Sequence, residues 1–124
     1  MATAKPDISF GVFVKQKRER LGKSVRGLAS EIGITPAYLS DIERNNRKSP
    51  ENFLKKMIEV LEISGDDVDT FYDLAGQSRN NNYPDLSDYI GSTPIARVAL
   101  RKARDLEISD SQWEEFIKGI DRSK

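Results

Sequence analysis

The sequence predicts an all-α protein, with a five-helix N-terminal domain followed by a small C-terminal helical extension. Three observations predict this class. Apolar residues recur at the three- and four-residue spacing of amphipathic helices in nearly every segment. Residues that favour helix starts and ends punctuate these segments. No alternating apolar and polar stretch is long enough to indicate a strand. We expect a domain at 1–76, ordered from about residue 9, a linker at 77–84 and the extension at 85–124.

The first predicted helix begins after Ser9, a favoured N-cap residue, and ends before Gly22. Phe10, Phe13 and Val14 form its apolar stripe. A run of basic residues lies beside this stripe, and the sequence leaves two interpretations open for it, phosphate binding and a solvated helix face. The run consists of Lys15, Lys17, Arg18, Arg20 and Lys23.

The second and third predicted helices are short and separated by a tight turn. The second begins near Ser24 and stops at Gly33, and the third opens with Thr35 as N-cap and Pro36 in its first turn. Ala29 stands four positions before Gly33, so a small side chain is available where the helices cross. Because glycine tolerates a backbone reversal that a Cβ would obstruct, this spacing predicts two helices meeting at a steep angle.

The remaining helices follow the same logic. A fourth is expected from Pro50 to about Glu62, and a fifth after Ser64, closed by Gly76. The polar segment 77–84 has no helical period and predicts a loop or linker. Core packing, and not base stacking, is expected for the large aromatic residues, because each lies at helical spacing from other apolar residues. These are Phe10, Phe13, Phe53, Phe71 and Trp113.

The extension contains a short turn of helix at 85–90 and two further helices. Thr93-Pro94 repeats the cap-and-proline start, and Ser109 with Gln112 forms a capping-box pattern. An apolar face follows at Trp113, Phe116, Ile117 and Ile120. A segment of some 40 residues can scarcely bury such a face alone, so we expect the chain to dimerise through either the last two helices or the fifth helix.

The composition excludes several classes of function. The chain has no cysteine and no histidine, which excludes disulfides, thiol chemistry and the usual zinc sites. The sequence shows no glycine-rich phosphate loop and no nucleophile–base pair. The acidic residues near the fifth helix lack the pattern of a calcium loop, and helix-start electrostatics accounts for most of them. We therefore expect neither an enzyme nor a protein with a metal or other cofactor.

Charge is distributed unevenly although its sum is zero. Residues 1–50 contain ten Lys and Arg against five Asp and Glu, whereas residues 51–124 contain ten against fifteen. This asymmetry favours a polyanion-binding half joined to an acidic half.

The chain has neither an apolar run of about 18 residues nor a secretory signal at its start, so we expect a cytoplasmic protein without a membrane partner.

The stretch SVRGLASEIGITPAYLSDIERN, from Ser24 to Asn45, resembles the Cro/CI-type (Xre) helix-turn-helix regulators of phages and bacteria. The resemblance covers about residues 10–76. It implies a lambda-repressor-like domain that binds double-stranded DNA sequence-specifically, and a bacterial or phage-encoded transcriptional regulator, with a repressor as the expected type.

The resemblance also implies roles for individual residues. Helix 35–44 is expected to enter the major groove. Base readout is assigned to Thr35, Pro36, Ala37, Tyr38, Ser40 and Asp41. Phosphate contacts are assigned to Ser24, Arg26, Arg44, Asn45, Asn46, Arg47 and Lys48. Structural roles are assigned to Ala29 and Gly33 at the turn and to an ion pair between Arg18 and Glu43.

The chain departs from the family pattern at two points. Val25 stands where relatives often carry glutamine, so that contact is lost or passes to Arg26. The reading helix also lacks the Gln and Asn pairs that recognise adenine, and the operator therefore stays unpredicted.

Two functions remain open: a homodimeric repressor or activator, and an antitoxin or regulator whose C-terminal helices bind a protein partner such as a toxin or a metallopeptidase.

Overall fold

The structure, a computed structural model, describes residues 8–123 and is helical throughout, with no strand among them. Residues 1–7 and Lys124, which were included in the expected domains, lie outside the described residues. Close contacts divide the chain into one compact unit that ends at Ser87 and a second that begins at Asp88. The helices are α1 Phe10–Arg20, α2 Val25–Ile32, α3 Pro36–Glu43, α4 Leu54–Val60, α5 Asp66–Gln77, α6 Pro84–Ser92, α7 Pro94–Asp105 and α8 Asp110–Arg122.

The apolar stripes of α1 to α5 form one core in the first unit. Val14, Leu28 and Leu39 are completely inaccessible to solvent, as is Phe71 of α5. The Phe71 ring lies 5.3 Å from the ring of Phe10, centroid to centroid. Burying each such side chain stabilises the fold by about 1.5–3 kcal/mol. The prediction of core packing is confirmed for Phe10, Phe13 and Phe71, and Phe53 packs against this core while partly buried. It is wrong for Trp113, which lies on α8 in the second unit, outside this core and only half-buried.

Local sequence signals define the first three helices. The hydroxyl groups of Ser9, Ser24 and Thr35 each accept a hydrogen bond from the backbone N–H three residues ahead, as N-caps do. Gly33 ends α2 with a φ of 98°, which is costly for a residue with a Cβ. The predicted starts and the predicted stop are therefore confirmed.

Two boundaries differ from the sequence expectation. The expected fourth helix opens as a separate 3-10 turn at Glu51–Phe53 before α4 begins, and no side chain caps that turn. Gly76 does not close α5, which continues to Gln77. Gly76 is instead a buried helix residue whose Cβ position is occupied by the ring of Tyr83.

The segment expected to be a linker is ordered against the first unit. After α5, Asn80 and Asn81 adopt φ values of 58° and 63°, a left-handed conformation that asparagine tolerates better than most residues. The N–H of Asn81 donates to the carbonyl of Gly76 at 2.9 Å. The polar asparagine run thus turns the chain sharply, and α6 then extends over nine residues.

The second unit contains α7 and α8. Ser109 and Gln112 form the predicted capping box at the start of α8. The Trp113 ring packs edge-on against Phe116, with centroids 5.8 Å apart. Neither helix contains a buried residue, and Leu106 is 77% exposed. In the part of the chain that the structure describes, no helix has both the length and the apolarity needed to cross a bilayer.

Candidate nucleic-acid interface

The turn between α2 and α3 is fixed by its smallest residues. Ala29 is fully buried where the two helices approach each other. Its carbonyl accepts hydrogen bonds from the N–H groups of both Gly33 and Ile34, at 2.9 and 3.0 Å. These bonds satisfy the end of α2 while the left-handed Gly33 redirects the chain into α3. These local contacts determine the direction in which the chain leaves the turn and enters α3.

Helix α3 has one buried and one accessible face. Leu39 and Ile42 point into the core and are at most 1% exposed. The residues assigned to base readout lie elsewhere on the helix. Thr35, Pro36 and Ala37 are exposed, whereas Tyr38, Ser40 and Asp41 are half-buried.

Two arginines hold the half-buried residues of α3. The Arg47 guanidinium lies over the ring of Tyr38, 4.3 Å from its centroid, in a cation–π contact. Arg44 donates to the hydroxyl of Ser40 at 3.3 Å and to the carboxylate of Asp41 at 2.9 Å. The Arg44 side chain is mostly exposed, so its ion pair stabilises the fold by less than about 1 kcal/mol. Both arginines therefore lie against the accessible face of α3, and each contacts a half-buried residue of that face.

The phosphate-assigned residues cluster in the loop that follows α3. Asn45, Asn46, Arg47 and Lys48 are all exposed. Asn45 has a φ of 63°, and its N–H donates to the Ile42 carbonyl, so the loop leaves the helix in a left-handed turn. At the start of α2, the other phosphate-assigned pair, Ser24 and Arg26, is also exposed. Every residue assigned to phosphate is therefore accessible to a ligand.

A buried ion pair ties α3 to α1. Arg18 donates to both carboxylate oxygens of Glu43, at 2.7 and 2.9 Å, and also to the Lys23 carbonyl at 2.9 Å. The hydrogen bond with Glu43 raises the pKa of Arg18, outweighing the opposite effect of burial. Lys23 in turn donates to the Val60 carbonyl at the end of α4. This network connects α3 to α1, to the α1–α2 turn and to α4.

Gly11 is a positioning residue that the sequence interpretation missed. A Cβ at this position would collide with the Ile42 carbonyl and would lie 2.7 Å from the side-chain oxygen of Asn45 and 2.9 Å from the Glu43 carbonyl. The start of α1 therefore packs directly on the end of α3. The only available signal was a glycine inside a helical pattern, which often marks such a close approach.

The basic run on α1 is engaged mainly within the protein. Lys17 pairs with Asp67 at 2.6 Å, Arg18 with Glu43 and Lys23 with Glu31. Intramolecular pairing therefore engages three members of the run, which argues against phosphate binding by these three. The side chains of Lys17 and Arg18 are largely buried, so only Lys15 and Arg20 fit the solvated-face interpretation. Among residues 8–123, no group of acidic side chains is arranged to hold a metal ion.

Comparison with known proteins extends these observations. A family model described as helix-turn-helix matches residues 14–68. The HTH-type transcriptional regulator SinR of Bacillus licheniformis is 42% identical over 109 residues, which cover 86% of this chain and 87% of that protein. SinR of Bacillus subtilis (strain 168) is 42% identical over 108 residues, with the same coverage.

Two further similarities are weaker, one because it covers less of the chain and the other because its identity is lower. The HTH-type transcriptional regulator SlrR of Bacillus subtilis (strain 168) is 41% identical over 54 residues, 43% of this chain and 36% of that protein. A solved structure of the SinR protein/SinI protein complex aligns with a TM-score of 0.46 and 28% identity, covering 93% of this chain and 99% of that chain. The sequence similarity to SinR covers 86% of this chain and so extends beyond the helix-turn-helix segment at residues 14–68.

Proposed function

The chain belongs to the Xre (Cro/CI-type) helix-turn-helix transcriptional regulators and is SinR-like, and from that premise we propose that it represses transcription by placing α3 in the major groove of its operator. The observation that carries this proposal is the accessible face of α3 with an exposed basic loop directly after it. An α-helix with its side chains is about 10–12 Å across, which suits a major groove about 12 Å wide.

We assign base recognition to the N-terminal part of α3. Thr35, Pro36 and Ala37 are its most exposed residues, and recognition helices of this type present their first turn to base edges. The Thr35 hydroxyl accepts from the Tyr38 N–H and keeps its own proton to donate to a base. Pro36 and Ala37 offer apolar contact to a thymine methyl group.

Tyr38 and Arg47 act together in this proposal. The guanidinium on the ring restricts the tyrosine side chain, which leaves its hydroxyl group as the group that contacts DNA. Arg47 and Lys48, with the two asparagines before them, contact phosphates, which position the protein without reading sequence. Arg44 donates to both Ser40 and Asp41, so in this proposal these two side chains contact bases in the positions that the arginine fixes.

The test is a salt titration of binding to a selected operator and to random duplex DNA. Arg47→Ala should weaken binding to both duplexes and reduce the salt slope by about one unit, because one phosphate contact is lost. Arg47→Lys keeps the charge and should keep the slope. Tyr38→Phe should change the preference for operator over random DNA and leave the slope unaltered. The proposal fails if the Arg47 and Tyr38 variants change the two duplexes in the same way.

We further propose that α7 and α8 form a homodimer interface with a second copy of the chain. Their exposed apolar residues include Val98, Phe116, Ile117 and Ile120. Charge favours a self-complementary arrangement, because α7 has four basic residues and one acidic residue, whereas α8 has four acidic and two basic residues. A two-fold dimer would match half-sites about 34 Å apart.

Sedimentation equilibrium tests this interface. Ile117→Glu should convert a dimer to a monomer, whereas Ser111→Glu, which adds the same charge at an exposed polar position of α8, should remain dimeric. A wild-type chain that is monomeric at high concentration would overturn the homodimer.

The competing occupant of the same apolar face is a different protein, such as a toxin or a metallopeptidase that relieves repression. The exposed apolar residues of α7 and α8 favour this candidate as well. A stoichiometric partner that co-purifies from the native host and is lost with Ile117→Glu would support it, provided that the isolated chain is monomeric. In either case we propose binding without catalysis, in the cytoplasm, where bacterial chromosomal DNA lies.

A further inference from the structure

Ser49, at the end of the loop after α3, is held by the end of α5 and the turn that follows it. It is only 1% exposed. Its N–H donates to the Ser78 hydroxyl at 3.0 Å, and its own hydroxyl donates to the Ala75 carbonyl at 3.1 Å. Its carbonyl accepts from Arg79 at 2.7 Å. All three polar groups of one buried residue thus find partners within residues 75–79, and we call this arrangement the Ser49 clasp.

Arg79 is the charged member of the clasp. One terminal nitrogen donates to the Ser49 carbonyl, and the other pairs with Glu51 at 3.0 Å. The Arg79 side chain is 24% exposed, whereas that of Glu51 is 56% exposed. Both terminal nitrogens therefore bind the segment 49–51, which follows the basic loop, so the guanidinium holds this segment against the end of α5.

The clasp determines where the basic loop lies. At its start, the loop is fixed to α3 because the N–H of Asn46 donates to the Asp41 carbonyl at 2.8 Å. At its end, it is fixed by Ser49. Only Arg47 and Lys48 lie between these two anchors, so they have little freedom to move independently. A shift of Ser49 would therefore displace Arg47 and Lys48 together.

We propose that Arg79 is a positioning residue for DNA binding, which acts through Ser49 to hold the 45–48 loop against the phosphate backbone. The inference rests on the proposed assignment of this loop to phosphate. It places part of the DNA-binding apparatus in the segment that the sequence predicted to be a linker. In this proposal Arg79 does not contact DNA. It holds the loop in the position from which the loop residues contact phosphates.

The salt slope of operator binding distinguishes positioning from direct contact. A residue that contacts one phosphate changes the slope by about 0.9 when removed. Arg79→Ala should instead reduce it by about two units, because at least two loop contacts depend on the clasp. Ser78→Ala removes the acceptor of the Ser49 N–H without changing charge, and it should also reduce the slope. Arg79→Lys keeps one donor for the Ser49 carbonyl and should restore most of it.

Three results would overturn the inference: a slope unchanged in Arg79→Ala, a reduction of only one unit, or a wild-type slope in Ser78→Ala. Binding is measured where urea unfolding shows each variant to be folded. If Arg79→Ala does not fold, Ser78→Ala and Arg79→Lys decide the question. Lys55→Ala, which removes an exposed cation from α4, controls for loss of net charge.

Arg47→Ala in the same titration separates this inference from the function on which it rests. If Arg47→Ala leaves the slope unchanged, the assignment of the loop to phosphate fails. If Arg47→Ala lowers the slope by about one unit while Arg79→Ala and Ser78→Ala leave it unchanged, only the positioning role fails.

Discussion

Removing Arg18 should destabilise the first unit far more than removing any exposed charge. Arg18→Ala would leave the Glu43 carboxylate, whose side chain is only 6% exposed, without its bidentate partner. The Lys23 carbonyl would lose its donor as well. Breaking a buried pair from one side costs about 3–5 kcal/mol. That is a large fraction of the roughly 5–15 kcal/mol that stabilises a typical domain.

The assay is urea unfolding followed by circular dichroism, supported by thermal unfolding. A loss of 3–5 kcal/mol should lower the Tm of a domain of this size by about 12–40 °C. Replacing both partners, as in Arg18→Met with Glu43→Leu, removes the stranded charge and should recover most of the stability. The reasoning is refuted if Arg18→Ala costs less than about 1 kcal/mol, or if the double variant is less stable than both single variants.

Two further predictions concern packing and pH. Gly11→Ala should destabilise the protein by about 1–3 kcal/mol in urea unfolding although alanine favours helices, because its Cβ would displace the Ile42 carbonyl; a more stable variant would contradict the packing. Burial, followed by the charges of Asp73 and Asp69, raises the pKa of Asp85 above 3.8. The folded state therefore favours the protonated form, and the stability that Asp85 contributes below pH 3.8 is lost as pH rises through the raised pKa. The Tm of the wild type relative to Asp85→Asn should fall across that range, and a constant difference would exclude the effect.

The sequence predicts this fold well where the determining contacts are local. Ser9, Ser24 and Thr35 bond to backbone groups three residues away, and Gly33 determines its own backbone conformation. Such interactions depend on a few neighbouring residues, so their residue types are sufficient evidence. Arg18 and Glu43 are 25 residues apart, and their contact was expected only because a family resemblance supplied it.

The sequence predicts less well where contacts join distant residues. Nothing near Gly11 indicates that the end of α3 packs against it. Ser49 and Arg79 are 30 residues apart, and a polar segment rich in asparagine resembles a linker unless the buried serine that it serves is known. From the sequence, Gly76 resembles a helix stop. Its actual role is to leave room for the ring of Tyr83, a contact that the sequence around Gly76 does not indicate. The roles of Gly11, Ser49 and Gly76 depend on residues distant in the sequence, so the tertiary packing is needed to reveal them.

Because α7 and α8 contain no buried residue, the folding of these two helices should depend on the concentration of the protein. Helices of twelve and thirteen residues are only marginally stable alone in water. If a second copy supplies the missing core, mass action links the folding of these helices to protein concentration. Dilution should then reduce helix content and shift the emission of Trp113, the single tryptophan. Operator occupancy would rise more steeply than the protein level, giving the cell a threshold without any small-molecule effector.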